Sequence, residues 1–272
     1  MWHCGEREID TSKVLIMGVL NVTPDSFSDG GLYAAVDVAC EHARQMVAEG
    51  ATIIDVGGES TRPGSSEVDT REELSRVLPV VRVLANEGVI VSIDTRHAQV
   101  AQACVDEGAA IINDISGFRD PAMVEVAKSS SVGLIIVHML GEPKTMQATP
   151  HYTDVVKEVR AFLVQRAFEL EAEGIAHDRI CIDPGPGFGK TFEHNLALLR
   201  ATAQLADIGY PLMAAYSRKN FIGSLTGIRE PERRVVGSVT AAMYAASQGA
   251  RVLRVHDIAP TIEALKVLAA VQ

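Results

Sequence analysis

Eight short β-rich runs with scarcely a polar residue inside them, amphipathic helical stretches between them, and one glycine-bearing stop that recurs before the strands predict a closed (β/α)8 TIM barrel of the α/β class, a single domain over residues 1–272. Nearly continuous apolar runs belong to strands buried on both faces of a parallel sheet, whereas a half-exposed antiparallel sheet would alternate. Residues Met1 to Asp10 carry charges and no apolar run, which argues against a leader segment, and the first strand expected is Val14–Leu20.

An irregular stretch, Thr23–Ala35, follows it. The second strand, Thr52–Val56, is followed by another, Glu59–Thr70. Arg71 to Asn86 then shows helical period through Leu74, Val77, Val81 and Leu84, with Pro79 expected to kink or split the helix. Strands Val89–Ile93, Ala110–Ile115 and Leu134–Val137 come next, then a helix read from Val155, Val159, Phe162, Leu163, Arg166 and Leu170. The runs Arg179–Ile182, Pro211–Tyr216 and Val252–Val255 complete the eight, and Ile258, Ile262, Leu265 and Leu268 mark a last helix. The stop appears five times, as Glu49-Gly50-Ala51, Glu87-Gly88-Val89, Glu107-Gly108-Ala109, Glu173-Gly174-Ile175 and Gln248-Gly249-Ala250. Glycine suits the left-handed cap that ends a helix.

Composition narrows the function. The 272 residues are 47% hydrophobic, enough for a large core, and 25 Lys and Arg against 35 Asp and Glu leave a charge of -10 without a basic run. Nucleic acid and an anionic membrane surface are therefore not expected partners. Cys4, Cys40, Cys104 and Cys181 are too dispersed for a zinc site or a disulfide framework and read as reduced, mostly buried thiols. No run of membrane-spanning length and no leader segment is seen, which leads to an expected cytoplasmic location.

In such a barrel the strand ends and the loops after them form the active face. Polar residues fall there on every strand: Asn21; Glu59 to Arg62; Asp94; Asn113 and Asp114; His138; Asp183; Ser217 to Lys219; Arg254 and His256. Asp94, Asn113 and Asp183 suit a flat heterocycle with neighbouring N–H donors. Arg62, Lys219 and Arg254 suit an anion such as a diphosphate or a carboxylate. His138 reads as a satisfied strand-end residue, and Cys181, inside an apolar strand, as core. The segment Asp183-Pro184-Gly185-Pro186-Gly187-Phe188-Gly189-Lys190 fails both the Walker and the dinucleotide pattern. It is left either as a tight βα connection or as a loop that presents N–H groups and positions Phe188. No histidine pair has zinc-ligand spacing.

Two segments carry a resemblance: Leu15 to Gly31, reading LIMGVLNVTPDSFSDGG, and Gly50 to Gly64, reading GATIIDVGGESTRPG. They resemble the two signature segments of dihydropteroate synthases. The similarity continues through Ile93-Asp94-Thr95, Ile112-Asn113-Asp114, His138-Met139, Asp183-Pro184-Gly185, Ser217-Arg218-Lys219 and Arg254-Val255-His256, in family order. It implies an enzyme that joins a dihydropterin diphosphate to 4-aminobenzoate with release of diphosphate. By that resemblance Asp94, Asn113, Met139, Asp183, Lys219 and Arg254 bind the pterin, Arg254 stacking over its ring. Asn21, Thr61, Arg62 and His256 surround the diphosphate, with Asn21 on a Mg2+ ion. Thr61, Pro63, Phe188 and Ser217 border the aminobenzoate.

The same resemblance makes Phe27, Asp29, Arg62 and Lys219 the catalytic set, with Asp29 stabilising a pterin cation. The loops bearing Phe27 and Asp29 and Thr61 to Gly64 would close over both substrates, and the chain would form a homodimer through exterior helices. Ala215, Leu140 and Asn220 stand where Gly, Gln and Ser are common in the family. A pterin barrel that moves a methyl group from a folate to a corrinoid protein would share the Asp and Asn positions but has no need of Thr61-Arg62 or of Ser217 and Lys219. A non-catalytic pterin-binding paralogue acting through a partner protein would not require both intact loops, Asn21 to Gly31 and Glu59 to Gly64.

Overall fold

The structure, a computed structural model, describes residues 1–22, 31–59, 68–142 and 144–271, with side chains from residue 35 onward in the second stretch. The chain starts with a hairpin that the sequence reading did not anticipate, β1 (Trp2–Cys4) antiparallel to β2 (Arg7–Ile9). Eight parallel strands follow: β3 (Leu15–Asn21), β4 (Ile53–Gly57), β5 (Ile90–Asp94), β6 (Ile111–Asp114), β7 (Gly133–Val137), β8 (Ile180–Asp183), β9 (Met213–Ala214) and β10 (Val252–Val255). Their order is β8-β7-β6-β5-β4-β3-β10-β9, and a parallel bridge from Ile182 to Leu212 closes the ring. Seven of the eight runs read from the sequence match their strands to within one residue at either end; the eighth, Pro211–Tyr216, shortens to Met213–Ala214.

The helices are α1 (Gly31–Glu49), α2 (Thr70–Asn86), α3 (Ala98–Asp106), α4 (Pro121–Ser129), α5 (Val155–Ala172), α6 (Phe192–Arg200), α7 (Thr202–Ala206), α8 (Asn220–Thr226), α9 (Val235–Ser247) and α10 (Ile258–Val271). Helix α1 begins at Gly31, so the irregular stretch expected through Ala35 ends earlier. Pro79 neither splits nor ends α2. Loss of one backbone bond and a ring clash cost about 3 kcal/mol in a helix interior. Val77, Val80, Val81 and Leu84 are buried on the same helix, and four such side chains at roughly 1.5–3 kcal/mol each outweigh that cost.

All five glycine stops adopt positive φ, from 82° at Gly88 to 112° at Gly50. Each is followed by a residue whose N–H reaches back five positions, as Ile175 does to Leu170 O at 3.1 Å, which completes the left-handed cap. Gly174 isolates the backbone contribution, because a methyl built there meets nothing within 4 Å. Gly174→Ala is expected to destabilise by about 1–2 kcal/mol through its left-handed φ alone. An unchanged urea midpoint would contradict this.

Two apolar layers result. One lies between the strands and the helices. The other fills the barrel, where Leu15, Met17, Ile53, Ile111, Ile135, Cys181, Met213 and Val252 are joined by Trp2, Cys4 and Ile9 of the hairpin. Trp2 donates its indole N–H to Arg179 O at 2.9 Å, and a methyl on Gly133, at the start of β7, would lie 2.5 Å from Cys4 Sγ. The hairpin is thus the floor of the barrel at its N-terminal end. The four cysteines are buried and unpaired, and no helix among the described residues is long and apolar enough to cross a membrane.

Candidate active site

A strand's period of two sends alternate residues into the barrel, and the filled interior fixes which. The parity of Met17, Ile53, Ile111, Ile135, Cys181, Met213 and Val252, carried toward the C-terminal ends, arrives at Asn21, Asp55, Asp94, Asn113, Met139, Asp183, Ser217, Arg254 and His256. The barrel therefore brings together at its mouth the expected strand-end residues, and Phe188 and Lys219 join them from loops. Phe27, Asp29, Thr61, Arg62 and Pro63, with the two loops that bear them, lie outside the described residues. Asp114 and His138 have the opposite parity and are satisfied locally. Asp114 accepts from Ser116 N, Ser116 Oγ and Phe118 N at 2.7–2.8 Å, and His138 meets Phe162 of α5 edge to face at 4.9 Å.

At the centre of the mouth Arg254 holds two carboxylates. Its Nε donates to Asp55 Oδ2 and its Nη2 to Asp94 Oδ2, both at 2.6 Å, and Asn113 Nδ2 donates to Asp55 Oδ2 at 3.1 Å. These bonds lie in the guanidinium plane, so they leave its flat faces for stacking. Asp55 is the residue that sequence reasoning missed. It is fully buried in the middle of β4 rather than at its end, and no strand-end rule selects it. Asp55 Oδ1 and Asn113 Oδ1 are buried without a hydrogen-bond partner among the described residues. A methyl on Gly57 would lie 3.8 Å from Asp94 Oδ2 and 3.9 Å from Asn21 Oδ1, so glycine keeps open the space those oxygens flank.

Burial sets the electrostatics. It raises Asp94 well above the ordinary carboxylate range, with Arg254 opposing and Asp55 adding to the rise. It pushes Asp183 up to about 6 although Gly185 N donates to Oδ1 at 2.7 Å. Lys219 is pushed down to about 8 by burial and then by Arg254, with Asp183 and Asp94 acting the other way. Its Nζ sits 4.6 Å from the centre of the Phe188 ring, and it has no hydrogen-bond acceptor among the described residues. Ser217 and His256, expected in different pockets, touch: Ser217 Oγ lies 3.0 Å from His256 Nδ1 and accepts the His256 N–H at 3.2 Å.

The segment Asp183 to Lys190 is a tight connection whose N–H groups are already engaged: Gly185 N donates to Asp183 Oδ1 at 2.7 Å and Phe188 N to Gly185 O at 3.1 Å, and Gly187 N donates to Asn195 Oδ1 of α6 at 2.7 Å. Lys190, unmarked by the sequence reading, fastens it. Its buried Nζ donates to Phe188 O at 3.0 Å and to His138 O at 3.3 Å, and lies 2.9 Å from His138 Nδ1. Burial lowers Lys190 to about 7 and His138 to about 3, so the imidazole is neutral and accepts from the amine. Of the positions that depart from the family pattern, Asn220 has a visible role: its Oδ1 accepts from Arg234 at 3.2 Å. Ala215 is buried in the barrel wall, and Leu140 lies under the close approach of Gly189.

Glu59, Glu73 and His97 come closest to a metal-ligand set among the described residues. Arg96 pairs with Glu59 at 3.3 Å, and His97 Nδ1 lies 2.6 Å from Glu73 Oε2 within the group, while Glu73 Oε1 is buried without a hydrogen-bond partner among the described residues. The group is read as ion pairs between the end of β4, the first turn of α2 and the start of α3.

Comparison with known proteins agrees with this geometry. The pterin binding enzyme family matches residues 17–256. The dihydropteroate synthase of Neisseria meningitidis serogroup C is 46% identical over 270 residues, covering 98% of this chain and 95% of the relative. The Yersinia pestis dihydropteroate synthase, solved with a sulfonamide drug, superposes with a TM-score of 0.93 at 43% identity over 98% of both chains. That of Xanthomonas albilineans, solved with 7,8-dihydropteroate, gives 0.90 at 42% identity over 99% of this chain and 97% of the other. An acceptor-lined barrel mouth crossed by Arg254 and Lys219, and relatives aligned over nearly their whole length, place the chain in the dihydropteroate synthase family of pterin binding enzymes.

Proposed function

We propose that the chain is a transferase of folate biosynthesis that condenses (7,8-dihydropterin-6-yl)methyl diphosphate with 4-aminobenzoate to give 7,8-dihydropteroate and diphosphate, residues 1–272 acting as one pterin-binding domain. The observation that carries this reading is the run of acceptors, Asp55 Oδ1 and Asn113 Oδ1 buried and unpartnered beside Asp94 and Asp183, faced by the half-buried amine of Lys219. A pterin edge offers adjacent N–H donors and one carbonyl, which such a set satisfies group by group, and buried polar atoms left unpaired are costly.

In the reaction the C–O bond between the pterin methylene and the diphosphate breaks, its electron pair leaves with the diphosphate, and the aminobenzoate nitrogen bonds to the methylene and loses a proton. Asp94, Asn113 and Asp183 orient the pterin, Lys219 donates to its carbonyl, Arg254 offers a flat face to the ring and Met139 lines the pocket. Asn21, Thr61, Arg62 and His256 hold the leaving diphosphate. Thr61, Pro63, Phe188 and Ser217 border the aminobenzoate, and Phe27 and Asp29 stand at the developing cation. Asn21, a single amide oxygen beside the open space at Gly57, fits a hard cation that draws most of its oxygens from phosphate and water. Mg2+ held there would neutralise charge on the leaving diphosphate.

Diphosphate release assayed with Mg2+, with and without 4-aminobenzoate, tests the reading. Release coupled to dihydropteroate formation is expected, and pterin binding without turnover would overturn it. The sulfonamide-bound relative supports the same aminobenzoate pocket as a sulfonamide target.

Acidification should weaken pterin binding. Asp183 takes up a proton as pH falls through about 6, and Asp94, also raised, does so with it, removing acceptors the ligand needs. Affinity is expected to fall about tenfold per pH unit for each of the two carboxyls that the ligand needs ionised. Stability of the free protein moves the other way. Raised carboxyl values favour the protonated fold, so their contribution is full below the unfolded value of about 3.9 and is lost as pH rises through the folded one. Fluorescence titration with a pterin across this range would show a flat profile if the carboxyls do not face the ligand.

The chain is further read as a cytoplasmic homodimer. Val236 and Tyr244 on α9 and Val267 and Val271 on the adjoining α10 are exposed, Val236 by 81% and Val271 by 76%. A second copy of the same face would cover them. Light scattering is expected to give twice the 29.1 kDa chain mass, and a paired Val236→Glu and Val267→Glu variant to give the single mass. A wild-type monomer at micromolar concentration would refute the dimer.

A further inference from the structure

Arg218 sits between two residues of the site, Ser217 and Lys219, in a left-handed conformation, φ 58°, that a side chain beyond glycine rarely adopts. All three of its polar parts are tied down. Its N–H donates to Ser238 Oγ at 2.9 Å, its carbonyl accepts from Arg234 Nη1 at 2.9 Å, and its guanidinium forks onto Asp257, Nε to Oδ2 at 3.0 Å and Nη2 to Oδ1 at 2.6 Å. The partners are themselves anchored. Ser238 and Arg234 are buried, Ser238 Oγ donates to Arg234 O at 2.6 Å, and Thr261 Oγ1 donates to Asp257 O at 2.6 Å.

This strain has a geometric use. A reversed φ at residue 218 lets Ser217 stay on the inward parity of β9, against His256, while Lys219, the residue before α8, swings its amine over the Phe188 ring. Asp257 is the neighbour of His256. The Arg218–Asp257 fork therefore joins the loop after β9 to the loop after β10 and sets Ser217, Lys219 and His256 relative to one another. We infer that Arg218 and Asp257 are a positioning pair for the synthase reaction, touching no substrate themselves and holding the amine, hydroxyl and imidazole of the site in one register. This rests on the proposed roles of Ser217, Lys219 and His256.

The test is a double-mutant cycle on the full chain. Arg218→Gln, Asp257→Asn and the double variant would be compared for kcat, KM of both substrates and melting temperature, together with Arg218→Gly, whose backbone accepts the left-handed φ but has no fork. Each single variant is expected to lose about 10- to 100-fold in kcat/KM, the effect of a misplacement of order 1 Å. The double variant should lose no more than the worse single, and Arg218→Gly should fall with Arg218→Gln. Losses that multiply in the double variant would overturn the pair. So would a lower melting temperature with kcat and KM within twofold of wild type, which would leave Arg218 and Asp257 only structural. A wild-type chain that does not turn over would sink the proposed function and this inference with it, whereas an active wild type with unaffected variants would sink the inference alone.

Discussion

Lys219→Ala is expected to lower kcat/KM by about 100- to 1,000-fold, the scale of losing one preorganised charged donor from a water-poor site. The amine is half-buried, is held positive near neutrality by the field of Asp183 and Asp94, and has no hydrogen-bond acceptor among the described residues; the Phe188 ring, 4.6 Å away, supports its charge. A fold that only needed stability would not keep an ammonium there, because burial alone disfavours the charge, and that is the direction in which its proton affinity has moved. The substitution should therefore leave the melting temperature unchanged or raise it, the behaviour of a group kept for chemistry at a cost to stability. Lys219→Arg should not rescue, since the planar fork is wider than the slot over Phe188, where Gly187 admits Lys219 Cδ within 3.3 Å of a built methyl. Retention of activity within tenfold in Lys219→Ala, or a marked loss of stability with activity intact, would show that the amine serves the fold.

What the sequence disclosed and what it hid have physical causes. Strands buried on both faces announce themselves by unbroken apolar runs, and the repeated glycine stop marks positive φ, so the barrel and most strand limits were legible. Met213–Ala214 was over-read because Ala215 and Tyr216 are just as buried as a strand would make them, yet leave the ladder for the turn that carries Ser217. The hairpin was invisible because its strands are three residues each, one with two exposed charged positions, and its order comes from Trp2 and Cys4 filling the barrel floor. Pro79 looked like a helix breaker because local rules do not include the core that α2 covers. The polar residues at strand ends pointed to the site, but their partners are non-local. Lys190 reaches His138 across 52 positions and Arg254 reaches Asp55 across 199. Neither pairing leaves a spacing pattern to find.

Asp55 is the sharpest case of that non-local dependence, and Asp55→Ala is expected to cost about 3–5 kcal/mol, the penalty for removing one partner of a buried ion pair. It would strip Arg254 Nε of its acceptor and leave Asn113 Nδ2 unpaired inside the barrel. Asp55→Asn keeps the shape and one acceptor, so it should cost less while removing the charge. That milder variant separates two roles. If Asp55 only braces Arg254, its neutralisation should weaken pterin binding equally at all pH values. Its charge also adds to the rise in Asp94's proton affinity, behind burial and against the pull of Arg254. Removing that charge should therefore let Asp94 ionise at lower pH and move the acidic limb of the pterin-binding profile downward. Guanidinium chloride unfolding of the alanine variant and pterin titration of the asparagine variant against pH measure the two effects independently. An acidic limb that stays in place would mean that Asp55 acts through geometry alone, and a destabilisation under about 1 kcal/mol in Asp55→Ala would mean that water replaces its carboxylate at the centre of the barrel.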